Sequence, residues 1–154
     1  MRKVRSWQIL FAVLLAAAGC ASHSSRPTLC AHLAGAGPTS DAQDPEHRGF
    51  ALLTLGGTAI GYSIESPGLE RVVATHIHHG MAGTNGPMVW EINSGYQGDR
   101  IRGEATGFPP GVIALIAADP GEYYVKLHSL AYPGGAIRGQ LEQCSSKFHV
   151  PGSK

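Results

Sequence analysis

The densest chemical feature of the sequence is the run Thr75-His76-Ile77-His78-His79-Gly80. If this run is a β-strand, His76 and His78 share one face, roughly 6–7 Å apart. Imidazoles at that spacing can converge on one metal ion, with nitrogen-to-metal bonds of about 2.0–2.1 Å. His79 then points the opposite way unless Gly80 breaks the strand first. The same pair can equally be strand histidines that donate to loop carbonyls and bind nothing. A third histidine, His128, closes the run Tyr123-Tyr124-Val125-Lys126-Leu127-His128. Alternation sets Tyr123, Val125 and Leu127 on the apolar face and Tyr124, Lys126 and His128 on the outward one. Three imidazoles from two strands suit copper or zinc, and copper is the natural occupant in an oxidising compartment. No cysteine or methionine adjoins them to suggest a blue-copper centre. Met81 and Met88 are near enough in sequence to be axial ligands, although methionine more often serves packing.

Such a site needs short, rigid strands, and the composition favours them. The chain has 154 residues, room for a single domain with a real core. Glycine (21) and proline (10) together make about one residue in five, which interrupts long helices and favours many turns. Short apolar runs separated by turn residues place strands at about 29–33, 49–55, 58–66, 72–78, 88–92, 101–105, 123–128 and 136–144. Only residues 111–118 suit a helix, of about two turns, and the polar stretch 35–47 reads as a surface loop. The expected class is all-β: an antiparallel sandwich or flattened Greek-key barrel of about eight short strands.

The N-terminus carries targeting chemistry. Arg2, Lys3 and Arg5 precede a mostly apolar stretch from Trp7 to Ala18, and small residues then lead to Cys20. This is the three-part pattern of a secretory leader over residues 1–19, too short to span a bilayer as a mature helix. Ala17-Ala18-Gly19-Cys20 resembles a bacterial lipobox, in which Cys20 is lipidated, although Ala17 stands where Leu is usual. An ordinary cleavage site near Ala16-Ala17-Ala18 is the alternative. Residues 20–28 then form a polar tether, residues 29–144 the domain and residues 145–154 a tail. Three cysteines are an odd count for an exported chain. With Cys20 lipidated, Cys30 and Cys144 remain to tie the first strand to the last by a disulfide. Removing the leader takes away three of twelve basic residues and none of eleven acidic ones, leaving a net charge of −2. No basic stripe remains for nucleic acid.

The segment from Thr75 to Val89, THIHHGMAGTNGPMV, resembles the central signature of the CHRD domain, named after chordin. A second signature follows in Tyr123-Tyr124-Val125-Lys126-Leu127-His128 and in Tyr132-Pro133-Gly134-Gly135-Ala136-Ile137-Arg138-Gly139-Gln140-Leu141. Lys126 stands where that family often has Asn, and residues 35–47 follow its pattern loosely. The resemblance implies an extracytoplasmic, all-β module and leaves activity open. A fainter likeness to copper-zinc superoxide dismutase lies in the order of His76, His78, His128 and Arg138, without that family's zinc loop or bridging histidine.

Arg138 is a candidate for an ion pair with Glu142 or Glu104, or for steering an anion; Tyr124 and Tyr132 are candidates to wall the histidine face. Dinucleotide, phosphate-loop and Gly-x-Ser-x-Gly patterns are absent. The expectation is an exported, lipid-anchored protein of the cell envelope. It would bind copper or zinc through His76, His78 and His128, with an envelope protein as a further partner. The alternatives are a metal-free adhesion or scaffolding module and a dismutase-like copper oxidoreductase; enzymatic activity is not required by the first two.

Overall fold

A computed structural model describes residues 26–35, 41–93, 95–96 and 98–144. The leader, Cys20, residues 20–25 of the tether and the tail therefore lie outside the described residues. Nine strands form one antiparallel sheet: β1 (Thr28–Ala34), β2 (Arg48–Leu55), β3 (Ala59–Glu65), β4 (Val72–His79), β5 (Met88–Asn93), β6 (Arg100–Thr106), β7 (Tyr123–Ser129), β8 (Ile137–Gln140) and β9 (Glu142–Gln143). The strand order is β5-β4-β7-β8-β1-β2-β3-β6, with β9 continuing beside β1. Among the described residues, one α-helix, α1 (Val112–Ala118), precedes a 3-10 turn at Pro120–Glu122.

The sheet curls until its edges meet, giving a nearly closed barrel. Trp90 of β5 lies against Phe108, just past β6, with ring centroids 5.0 Å apart. Asn93 Nδ2 donates to Tyr62 Oη at 3.2 Å, linking β5 to β3. Leaving few free backbone groups at its edges protects an all-β chain from edge-to-edge pairing.

The interior follows from alternation. Leu29, Ala31 and Leu33 of β1, Ala51, Leu53 and Leu55 of β2, Ile60 and Ile64 of β3, Ile77 of β4 and Val125 and Leu127 of β7 all join one apolar core. Each fully buried Leu or Ile contributes on the order of 1.5–3 kcal/mol through removal of apolar surface from water. β7 departs from simple alternation, because six of its seven residues are buried. Its inner face meets the core, and its outer face is roofed by loops.

One strand differs from expectation. The run 136–144 keeps a single register along β1, with Ala34 opposite Arg138 and Cys30 opposite Glu142. It is nevertheless interrupted at Leu141, whose N–H turns to Tyr123 O of β7 at 2.9 Å while its side chain is buried. Two neighbouring strands compete for the same backbone, and the ladder switches between them. Just beyond, Cys30 and Cys144 form a disulfide with Cα atoms 5.3 Å apart. Every described element, the core and this bond lie within residues 28–144.

Candidate metal centre

Pairing of β4 with β7 assembles the site. Ala74 faces His128, His76 faces Lys126 and His78 faces Tyr124 across the ladder. The even-numbered side chains of both strands thus share the outer face of the barrel while Ile77, Val125 and Leu127 fill the inside. The three histidines meet there. Ring centroids are 4.8 Å apart for His76 and His128, 5.8 Å for His76 and His78, and 6.4 Å for His78 and His128. One nitrogen from each lies within 4.8 Å of the others. Nitrogens on opposite sides of one ion stand about 4.2 Å apart at most, so small side-chain rotations would bring them into ligating range.

Two of the rings are oriented by backbone carbonyls. His78 Nδ1–H donates to Gly86 O at 2.9 Å, and His128 Nδ1–H donates to Pro133 O at 2.9 Å. A carbonyl can only accept, so each neutral ring is held with its lone pair on Nε2. Both Nε2 atoms are buried, and neither has a hydrogen-bond partner. His76 Nε2 lies 3.7 Å from Glu91 Oε2 on the neighbouring strand.

Electrostatics keep the cluster neutral. Burial lowers the pKa of all three histidines below the ordinary imidazole value. For His76, the proximity of His128 and His78 lowers it further, against a smaller opposing pull from Glu91. For His78 and His128, the carbonyls of Gly86 and Pro133 oppose the shift and the nearby Lys126 charge adds to it.

The roof over this face is tied to the sheet by side-chain hydrogen bonds. Loop 80–87 is held by Arg138 Nη1, which donates to Thr84 O at 2.8 Å and Asn85 Oδ1 at 3.1 Å. Gln140 Nε2 donates to Gly80 O at 2.8 Å. Tyr124, fully buried, stacks on His78 with centroids 5.0 Å apart and planes 12° apart. The Arg138 guanidinium sits 3.4 Å from the Tyr124 ring centroid. Two flat groups cannot share one face of a ring at these distances, so Tyr124 is sandwiched between imidazole and guanidinium. Tyr124 Oη also accepts from Gly86 N–H at 3.1 Å, so one phenol pins the peptide that orients His78. Gly86 must be glycine: a Cβ there would lie 1.6 Å from His79 O.

The other candidates fall elsewhere. His79 points to the opposite face, near Glu122 and the edge of Tyr123. Met81 and Met88 are exposed. Tyr132 packs against the core rather than walling the histidines. Arg138 pairs with neither Glu142 nor Glu104. The carboxylate in ion-pair range among the described residues is Asp41, with Oδ1 3.9 Å from Arg138 Nη1. Arg138 and Glu142 lie four residues apart along one extended run, about 13 Å by strand rise, which separates them.

Asp41 is the residue that sequence reasoning missed. Its Oδ2 accepts a short hydrogen bond from Lys126 Nζ, and Lys126 is 3% exposed. In the sequence Asp41 is one acid in a polar loop, with nothing to mark it as the counter-ion of a strand lysine 85 residues away. The only available signal was Lys126 itself, a charge on the same outward strand face as His128. Gly135 makes room for it, since a Cβ there would meet Lys126 Cε at 2.3 Å.

No curated protein and no solved structure matches the chain. A family model described as the CHRD domain matches residues 29–141, and the chain belongs to the CHRD-domain family.

Proposed function

We propose that this CHRD-domain protein is exported, anchored to the cell envelope by lipid on Cys20, and binds one transition-metal ion through His76, His78 and His128. The observation that carries the metal reading is the pair of buried Nε2 atoms on His78 and His128 that lack hydrogen-bond partners. A buried polar atom left without a partner is ordinarily costly, by about 1–3 kcal/mol, and a ligated ion removes that penalty. The carbonyls that orient both rings are the usual outer support of a metal-binding histidine. Copper is favoured over zinc because divalent copper binds nitrogen sites more tightly. Export is supported by the basic-apolar leader before Cys20 and by the disulfide, a bond typical of oxidising compartments. The site holds and presents the ion, and a role in metal handling or delivery to an envelope partner follows.

The test is elemental analysis of untagged protein comprising residues 21–154, loaded with copper or zinc and desalted. Wild type is expected to retain one ion per chain and a His76→Ala/His78→Ala/His128→Ala variant none. Equally low metal in both would assign the histidines to loop fixation and turn the search to protein partners.

A further inference from the structure

Residues 107–118, Gly-Phe-Pro-Pro-Gly-Val-Ile-Ala-Leu-Ile-Ala-Ala, contain no polar side chain. A surface helix normally carries a polar face, and a wholly apolar one is normally buried. α1 is neither: Ile113 and Ile116 are buried, while Ala114, Ala118 and Leu115 face outward, Leu115 being 61% exposed. Pro109 and Pro110 before it are exposed as well. Between this segment and the start of β1 runs an apolar cleft of about 460 Å³, walled by Pro27, Leu55, Phe108, Ile113 and Ala117. An exposed apolar surface of this continuity marks an interaction face.

Its position indicates the occupant. The cleft lies at the barrel end where β1 begins, β2 ends, β3 begins and β6 ends, and Leu55 N–H donates to Pro27 O there at 2.9 Å. Cys20 precedes Pro27 by seven residues, a reach of at most about 25 Å when fully extended. β1 rises about 20–23 Å over its seven residues, so the opposite end would be reached only by a fully extended tether, and the anchor favours contact of this end with the bilayer. Trp90, the residue type favoured at membrane interfaces, lies against Phe108 at the same end, and Arg26 sets a cation beside Pro27. We infer that the face formed by Phe108, Pro109, Pro110 and Leu115 rests in the interfacial layer of the lipid bilayer, fixing the orientation of the domain on the membrane. This inference rests on the anchored reading of Cys20, and on no property of the histidine cluster.

The test separates docking from natural lipidation. In protein comprising residues 20–154, Cys20 is the one thiol outside the disulfide and Trp90 the one tryptophan. Coupling Cys20 to a maleimide phospholipid in phosphatidylcholine vesicles supplies the anchor chemically. Trp90 emission should shift to the blue and be lost when the vesicle acyl chains are brominated. Leu115→Asp, or Ala114→Asp as a second variant at an exposed position, should restore emission. Leu130→Asp, an exposed leucine just past the far end of β7, should leave the quenching unchanged. Equal emission from plain and brominated vesicles would overturn the inference, as would self-association of the tethered chains without quenching. Natural lipidation is read independently, from the mass of the N-terminal peptide of protein recovered from cell membranes.

Discussion

At the residue scale, the site turns on where protons sit. The three histidines are held below the ordinary imidazole pKa by burial, so they remain neutral at pH values where a free imidazole is already protonating. Metal should therefore stay bound at pH 6.5 and be released only as the pH falls further, which a copper titration at stepped pH will show. Apo stability follows with a definite sign. Above about pH 6.5 neither folded nor unfolded histidines take up protons. Below it the unfolded chain takes up more than the folded one, so stability falls with pH until the folded pKa values are reached. Urea unfolding of the apoprotein should show this decline, and it should be shallower in the triple alanine variant. Asp41 gives a second prediction. Asp41→Ala leaves Lys126 buried without its counter-ion and should destabilise by about 3–5 kcal/mol, measured by the same unfolding. A loss under about 1 kcal/mol would show that water solvates Lys126 after all.

At the scale of elements, β4 and β7 supply the ligands, but loop 80–87 supplies their orientation. Gly86→Ala places a methyl group on His79 O and must displace the loop. Its expected outcome is a tenfold to hundredfold loss of metal affinity, the range known for lost outer supports, while the β-sheet circular dichroism persists. Tyr124→Phe keeps the ring between His78 and Arg138 but deprives Gly86 N–H of its acceptor. It should destabilise by about 1–3 kcal/mol and weaken metal binding less than Gly86→Ala does. Equal affinities in all three proteins would mean that His78 orients itself without the loop.

Across the whole molecule, the disulfide ties β1 to the segment after β9, already its neighbour in the sheet, and spans 114 positions of sequence. A loop of that length carries about 4–5 kcal/mol in the chain-entropy account. Cys30→Ser/Cys144→Ser should lower stability by about 2–5 kcal/mol and broaden little else, since β4 and β7 pair independently of that bond. A variant of unchanged denaturation midpoint would indicate that pairing of the last strand with β1 alone holds the two ends of the domain together.

The division between sequence and tertiary structure follows the range of the forces involved. Period-two alternation is local, so the strands, the outward face of Tyr124, Lys126 and His128, and the shared face of His76 and His78 were legible residue by residue. The odd cysteine count, read with Cys20 set aside for lipid, pointed to the Cys30–Cys144 bond that the fold contains. Non-local pairing is not written in any window of residues. The adjacency of β4 and β7 brings His128 to the other two histidines, and the fold alone decided it. The same holds for Asp41 beside Lys126, for Arg138 against Tyr124, and for the Gly86 and Pro133 carbonyls that free the two Nε2 atoms. Sequence determined which side chains could form a site, because facing depends on neighbours along the chain. Tertiary structure decided which of them meet and in what protonation state, because burial and counter-charges come from segments far apart in sequence.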